Sequence, residues 1–128
     1  MTTHQGKTEH GEQQTLFEWA EVMVSTGQYP ELHLMFAVPN WRPKKGERLL
    51  MAAEGVKPGI PDIFLPVPRR GIPGMFIELK VGNNQPTELQ RTWHKALHAQ
   101  GYYVVTCWGF EQARDEIINY LEYPRFPS

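Results

Sequence analysis

The sequence predicts an α/β fold, a mixed β-sheet flanked by helices in the order α-β-α-β-β-α-β-α. Three observations predict it. Apolar residues recur with helical period near both ends of the chain and ahead of its last apolar run. Two short apolar stretches, Asp62–Val67 and Met75–Val81, flank a turn rich in Pro and Gly, the pattern of an antiparallel hairpin. Tyr102–Trp108 is rich in aromatic and β-branched residues and lies between two helical segments, as a buried strand does.

Taken in order, residues 1–8 read as a flexible terminus. Glu12 to Val24 is helical, because Leu16, Trp19, Ala20 and Met23 form one apolar stripe. Thr26-Gly27-Gln28-Tyr29-Pro30 stops it. Leu32–Val38 is a short apolar run that predicts a strand. Lys44–Glu54 has helical composition, with Gly55 as its C-terminal cap. Pro58-Gly59-Ile60-Pro61 leads into the hairpin, whose first strand has Pro66 near its end, as edges and strand ends allow. Thr87 is a fair N-cap for a helix to Gln100 that buries Leu89, Trp93, Ala96 and Leu97. Phe110–Leu121 is the last helix, with Phe110, Ala113, Ile117 and Tyr120/Leu121 inward. No repeat or linker divides the 128 residues, so one domain is expected, with its core at about 9–121.

The single cysteine, Cys107, excludes an internal disulfide and reads as a packed, inert thiol. No apolar run approaches the roughly 20 residues of a membrane span, and the polar start has no signal-peptide character. A soluble, cytoplasmic protein is expected. Net charge is −1, but it is unevenly spread: residues 42–70 hold seven basic and three acidic residues. The cluster of Arg42, Lys44, Lys45, Arg48, Lys57, Arg69 and Arg70 is compatible with a nucleic-acid surface or with a solvated face.

The hairpin carries the chemistry. Strand side chains alternate, so Phe76, Glu78 and Lys80 share one face while Met75, Ile77, Leu79 and Val81 can enter the core. Sixteen positions separate Asp62 from Glu78, and a seven-residue turn can bring them together at the outer ends of the hairpin. Two close carboxylates repel unless a cation neutralises them or one takes a proton. Their hard oxygens favour Mg²⁺ or Mn²⁺. Such an ion polarises a phosphoryl oxygen and lowers the pKa of a bound water, and Lys80 beside it suits an anionic transition state. Glu-x-Lys alone is most often a solvated strand face. The Gly-x-Pro-Asp, Glu-x-Lys, helix context makes it more than that. Glu12 extends the buried stripe of the first helix, four residues before Leu16, or simply complements the helix dipole. Gln90 flanks the buried stripe of its helix, with His94 and His98 on the same flank. Two histidines do not make a zinc site, and a solvated or DNA-facing surface is expected there.

Gly59-Ile60-Pro61-Asp62, Ile77-Glu78-Leu79-Lys80 and Gln90, with Glu12, the Gly55–Gly59 approach and Gly101-Tyr102, resemble the VRR-NUC (virus-type replication-repair nuclease) branch of the PD-(D/E)XK nucleases. The resemblance runs from about residue 9 to 121 and lacks no core motif residue. It implies a restriction-endonuclease-like fold and a metal-dependent endonuclease that hydrolyses DNA phosphodiester bonds. Asp62 and Glu78 are implied as Mg²⁺ or Mn²⁺ ligands with the Leu79 carbonyl, and Lys80 as the catalytic lysine. Glu12 is implied as support for the metal, directly or through water, and Gln90 as a residue that positions Lys80 or the substrate. The basic cluster is then a phosphate-contacting surface. Small standalone members of the branch resemble homodimeric resolvases of four-way (Holliday) junctions, which implies branched DNA as substrate and a second copy as partner. The competing readings are a less selective duplex or flap nuclease and a non-catalytic nucleic-acid-binding subunit.

Overall fold

A computed structural model describes residues 7–39 and 41–123. Helix α1 (Glu9–Thr26) starts at Thr8, whose side chain accepts from Gly11 N at 2.9 Å. That cap begins the helix three residues before the predicted Glu12. Residues 1–6 of the expected flexible terminus lie outside the described residues, while Thr8 is held as a cap.

The strand predicted over Leu32–Val38 is a 3-10 helix, Pro30–Leu34, followed by the two-residue strand β1, Phe36–Ala37. Pro30 pre-sets a helical φ at the first position of that turn, and the apolar run then supplies Leu32 and Met35 to the core. Helix α2 (Arg48–Ala53) is shorter than predicted and buries no residue. Gly55 follows it at φ 86°, with Val56 N bonding back to Met51 O, so the glycine stop is where the sequence put it.

β2 (Ile63–Leu65) and β3 (Met75–Lys80) pair antiparallel, β1 pairs antiparallel with β2, and β4 (Tyr103–Trp108) joins β3 in parallel. The sheet order is β1-β2-β3-β4. Helices α3 (Glu88–Ala99) and α4 (Phe110–Glu122) precede and follow β4. The mixed sheet flanked by helices is therefore the architecture found.

One sheet face packs on α1 and α4. Leu16, Ile63, Met75, Ile77, Leu79, Cys107 and Ile117 are fully buried there. The opposite face begins with a row of aromatic rings. Phe64 stacks on Phe76 at 4.3 Å, and Phe36 and Tyr102 meet them edge-on. Helix α3 departs from expectation: none of its residues is buried, and Leu89 is 47% exposed. It packs on β4 and on the loop before β2 rather than sinking into a second core. Gly59 makes that approach feasible. It sits at φ 92°, and a Cβ there would lie 2.8 Å from Leu89 and 2.9 Å from Trp93. Among the described residues, no helix is long and apolar enough to cross a membrane.

Candidate active site

The β2–β3 register pairs Ile63 with Ile77 and Phe64 with Phe76. Continued by one position, it sets Asp62 directly opposite Glu78 on the same face as the aromatic row. Both ends of this pair are anchored. Asp62 Oδ2 accepts from Leu79 N at 2.7 Å, and the Asp62 carbonyl accepts from Val38 N at 2.7 Å. Glu78 is 1% exposed. Its two oxygens face α3, with Gln90 Nε2 and His94 Nε2 each 3.4 Å away.

Gln90 is fixed by a capping box. Its Oε1 accepts from Thr87 N at 2.8 Å, and Thr87 Oγ1 accepts from Gln90 N at 3.1 Å. With the amide oxygen committed to the cap, its nitrogen is turned to Glu78. His94 is one turn further along the same flank. The sequence placed both on one flank of the helix, yet expected His94 at a solvated or DNA-facing surface. Its contact with Glu78 is what was missed. The signal was there in the Gln90/His94 spacing of four, shared with a residue already linked to the site.

The electrostatics follow from burial. Asp62 is pushed up to about 7, by desolvation first and then by its bond with and the charge of Glu78, against which Leu79 N and Lys80 act. Glu78 is also raised, by desolvation first. Asp62 and Lys80 oppose that rise and Glu9 adds to it. Burial lowers His94, with Lys80 next, so its imidazole is neutral at physiological pH. Lys80 is 7% exposed, an ammonium held inside beside two carboxylates.

A cavity of about 350 Å³ opens over this pair, lined by Glu9, His10, Gln13, Trp41, Arg42, Ile60, Asp62, Glu78 and Gln90. The carboxylate that α1 brings to it is Glu9. Glu12, one turn further on, is not among its lining residues. Its Oε1 accepts from Phe110 N at 2.9 Å and lies 3.2 Å from where a Gly109 Cβ would be. Glu12 thus caps the start of α4, an anion at a helix N-terminus. Among the described residues, no three His, Cys, Asp or Glu side chains cluster as a metal cage. The oxygen set at the hairpin is the Asp62–Glu78 pair. That set fits Mg²⁺ or Mn²⁺, which take few protein carboxylates and keep several waters.

The basic cluster divides. Arg42 lines the cavity. Lys57 lies over the Trp93 ring at 5.8 Å from its centroid, on the α3 side of the site. Lys44, Lys45 and Arg48 are exposed on the α2 segment. Arg69, expected to contact DNA, is instead a structural residue. It is 6% exposed, pairs with Glu31 at 2.6 Å, and donates to Leu121 O and Pro68 O. Its neighbour Arg70 is exposed and covers the Tyr123 ring.

Residues 8–111 match the VRR-NUC domain family, well over half of the chain. The chain belongs to the VRR-NUC family. A solved structure described as a VRR_NUC domain protein superposes on this VRR-NUC domain with a TM-score of 0.79, covering 96% of this chain and 95% of that one at 24% identity. At that identity the likeness is one of fold. No curated protein matches the chain. Membership makes this VRR-NUC domain a nuclease by family, and the hairpin sets Asp62 and Glu78 among the residues that line the cavity.

Proposed function

We propose that the protein is a divalent-metal-dependent DNA endonuclease, with Asp62, Glu78 and the Leu79 carbonyl as the ligands of Mg²⁺ or Mn²⁺. The single observation that carries this reading is the carboxylate pair lining the cavity, where desolvation raises the proton affinity of both groups and Glu78 raises that of Asp62 further. When bound, such an ion supplies Lewis acidity at a phosphoryl oxygen and a water of lowered pKa.

The chain's own residues do the rest. Lys80, kept inside beside the pair, offers positive charge to the phosphorane-like transition state. Gln90 and His94 hold the Glu78 carboxylate from α3, fixing its orientation next to Asp62. Glu9 replaces Glu12 as the first-helix carboxylate that faces the site, acting through water from the cavity wall. Arg42 and Lys57, with Lys44, Lys45, Arg48 and Arg70 further out, hold the phosphate backbone without reading bases.

The preferred substrate is branched DNA such as a four-way junction, cut by two copies of the domain related by two-fold symmetry. The alternatives are duplex or flap cleavage without such preference, and binding without cleavage. A panel of four-way junction, flap, single-stranded and linear duplex DNA, in Mg²⁺ and in Mn²⁺, tests this. The junction is expected to be cut fastest, with all cleavage abolished by EDTA. Equal cutting of all four substrates ends the branched-DNA reading, and binding without cutting ends the enzyme reading.

A further inference from the structure

The cavity over Asp62 and Glu78 has a wall that metal-assisted hydrolysis does not need. Its lining is mostly polar, yet Trp41 and Ile60 belong to it, with Arg42 next to Trp41. A metal, its waters and a phosphate call for oxygen and nitrogen atoms, not for an indole.

The placement of Trp41 follows from the chain. Val38 N is bonded to the Asp62 carbonyl, so the segment leaving β1 is tied to the strand that bears Asp62. Trp41 comes three residues later, between Pro39 and Pro43, whose rings restrict the backbone on either side of it. Trp41 is half-buried, and Arg42 beside it is exposed. Among the described residues, Arg42 makes no ion pair, although it lines a cavity with three carboxylates. A volume of about 350 Å³ is at the small end of ligand-sized pockets, roughly 300–1,000 Å³. That is room for about one nucleotide.

We infer that Trp41 and Arg42 form a nucleotide seat in the cleavage pocket: the indole stacks on an unpaired base next to the scissile phosphate, and the guanidinium holds a phosphate of that nucleotide. The inference rests on the nuclease reading above and deepens it by naming the substrate feature recognised. A base inside a duplex already has both faces stacked and offers none to a side chain. An unpaired base at a branch, bulge or end offers a free π-face, and stacking on an aromatic residue tolerates any base. The guanidinium meets phosphate in two parallel hydrogen bonds and so fixes the backbone beside the stacked base. The seat therefore favours DNA that can present an unpaired nucleotide at the cut, as the readily opened pairs at a branch point do, without reading its identity.

Paired substrates that differ only in whether one 2-aminopurine next to the cut is paired or unpaired test this. Binding is read by 2-aminopurine fluorescence in Ca²⁺, and cleavage as kcat/KM in Mg²⁺. The wild type is expected to change the emission of the unpaired probe and to prefer the unpaired substrate. Trp41→Ala is expected to lower that preference roughly tenfold, the usual worth of one base–aromatic stack, while Trp41→Phe retains most of it. Arg42→Ala should raise KM on both substrates alike. Equal effects of Trp41→Ala on the two substrates, or a fluorescence change that Trp41→Ala leaves intact, overturn the seat. Absence of cleavage by the wild type on any DNA would instead sink the nuclease reading, and the fluorescence arm would still decide whether the seat exists.

Discussion

Two places in this molecule bury charge, and they do it in opposite ways. At the turn end of the hairpin, Arg69 is enclosed by Glu31 and by the carbonyls of Leu121 and Pro68. Each of these partners carries opposite charge or a carbonyl dipole. At the other end, Asp62 and Glu78 face each other as like charges, held by Leu79 N, Gln90, His94 and the nearby Lys80. The first cluster satisfies itself and ties the turn to α4 and the 3-10 helix. The second is short of positive charge and lies on an open cavity. Burial of charge thus marks structure where the partners are complete, and a site where they are not.

The largest expected effect comes from altering the incomplete cluster. Asp62→Asn, Glu78→Gln and Lys80→Ala should each lower DNA cleavage by about a hundredfold or more, with circular dichroism showing each variant folded at the assay temperature. Wild-type rates from all three variants would remove the site from this end of the hairpin.

Breaking the complete cluster should do the reverse. Arg69→Ala leaves Glu31 and the Leu121 carbonyl without their partner, at a cost of about 3 kcal/mol. That corresponds to a fall in melting temperature of roughly 10 °C. Cleavage per folded molecule at low temperature should be unchanged, and a selective loss of DNA affinity would return Arg69 to the phosphate-contacting surface.

The incomplete cluster should also show in the pH dependence of stability. Asp62 is raised from 3.8 to about 7 in the folded chain, mainly by desolvation. The native state then keeps a proton that the unfolded chain has already lost over that range. The stability this proton supports is fully present below about pH 4 and is lost as pH rises through 7. Melting of the metal-free protein from pH 4.5 to 8 should show this downward contribution, and Asp62→Asn should remove it. An unchanged slope in that variant would assign the titration elsewhere.

The smallest effect separates helix capping from site support. Thr87→Ala and Gln90→Ala each break the capping box of α3 and should each cost about 1 kcal/mol. Only Gln90 also touches Glu78, so only Gln90→Ala should lower cleavage beyond its effect on folding. Equal cleavage by the two variants would make Gln90 a cap alone.

These contrasts explain what the sequence could reveal. The hairpin and the meeting of Asp62 with Glu78 were legible because they depend on strand alternation and on a short turn, both local. The sheet with its flanking helices was legible from period and order. The Arg69 environment was not, because it is built by Glu31, 38 residues earlier, and Leu121, 52 residues later. Glu12 and Glu9 lie three residues apart on α1, and the packing of α1 against β3 and α4 decides which one lines the cavity. Period alone cannot supply that packing. The run after Pro30 had strand composition, but a proline at the first helical position and two core contacts from Leu32 and Met35 favoured a 3-10 turn. The α3 stripe looked buried because its spacing is helical. In the fold it covers a loop and part of a site, where solvent reaches it.

The proposed function stands on the binding of a divalent cation by the Asp62–Glu78 pair. Electron paramagnetic resonance of Mn²⁺ titrated with protein at pH 8 measures this directly, since the signal of the free aqueous ion falls as the ion is bound. The wild type should take up Mn²⁺, Mg²⁺ should compete for the site, and the Asp62→Asn/Glu78→Gln double variant should bind at least tenfold more weakly, with Glu12→Gln close to wild type. Uptake by the double variant equal to wild type would place the cation elsewhere than at the Asp62–Glu78 pair.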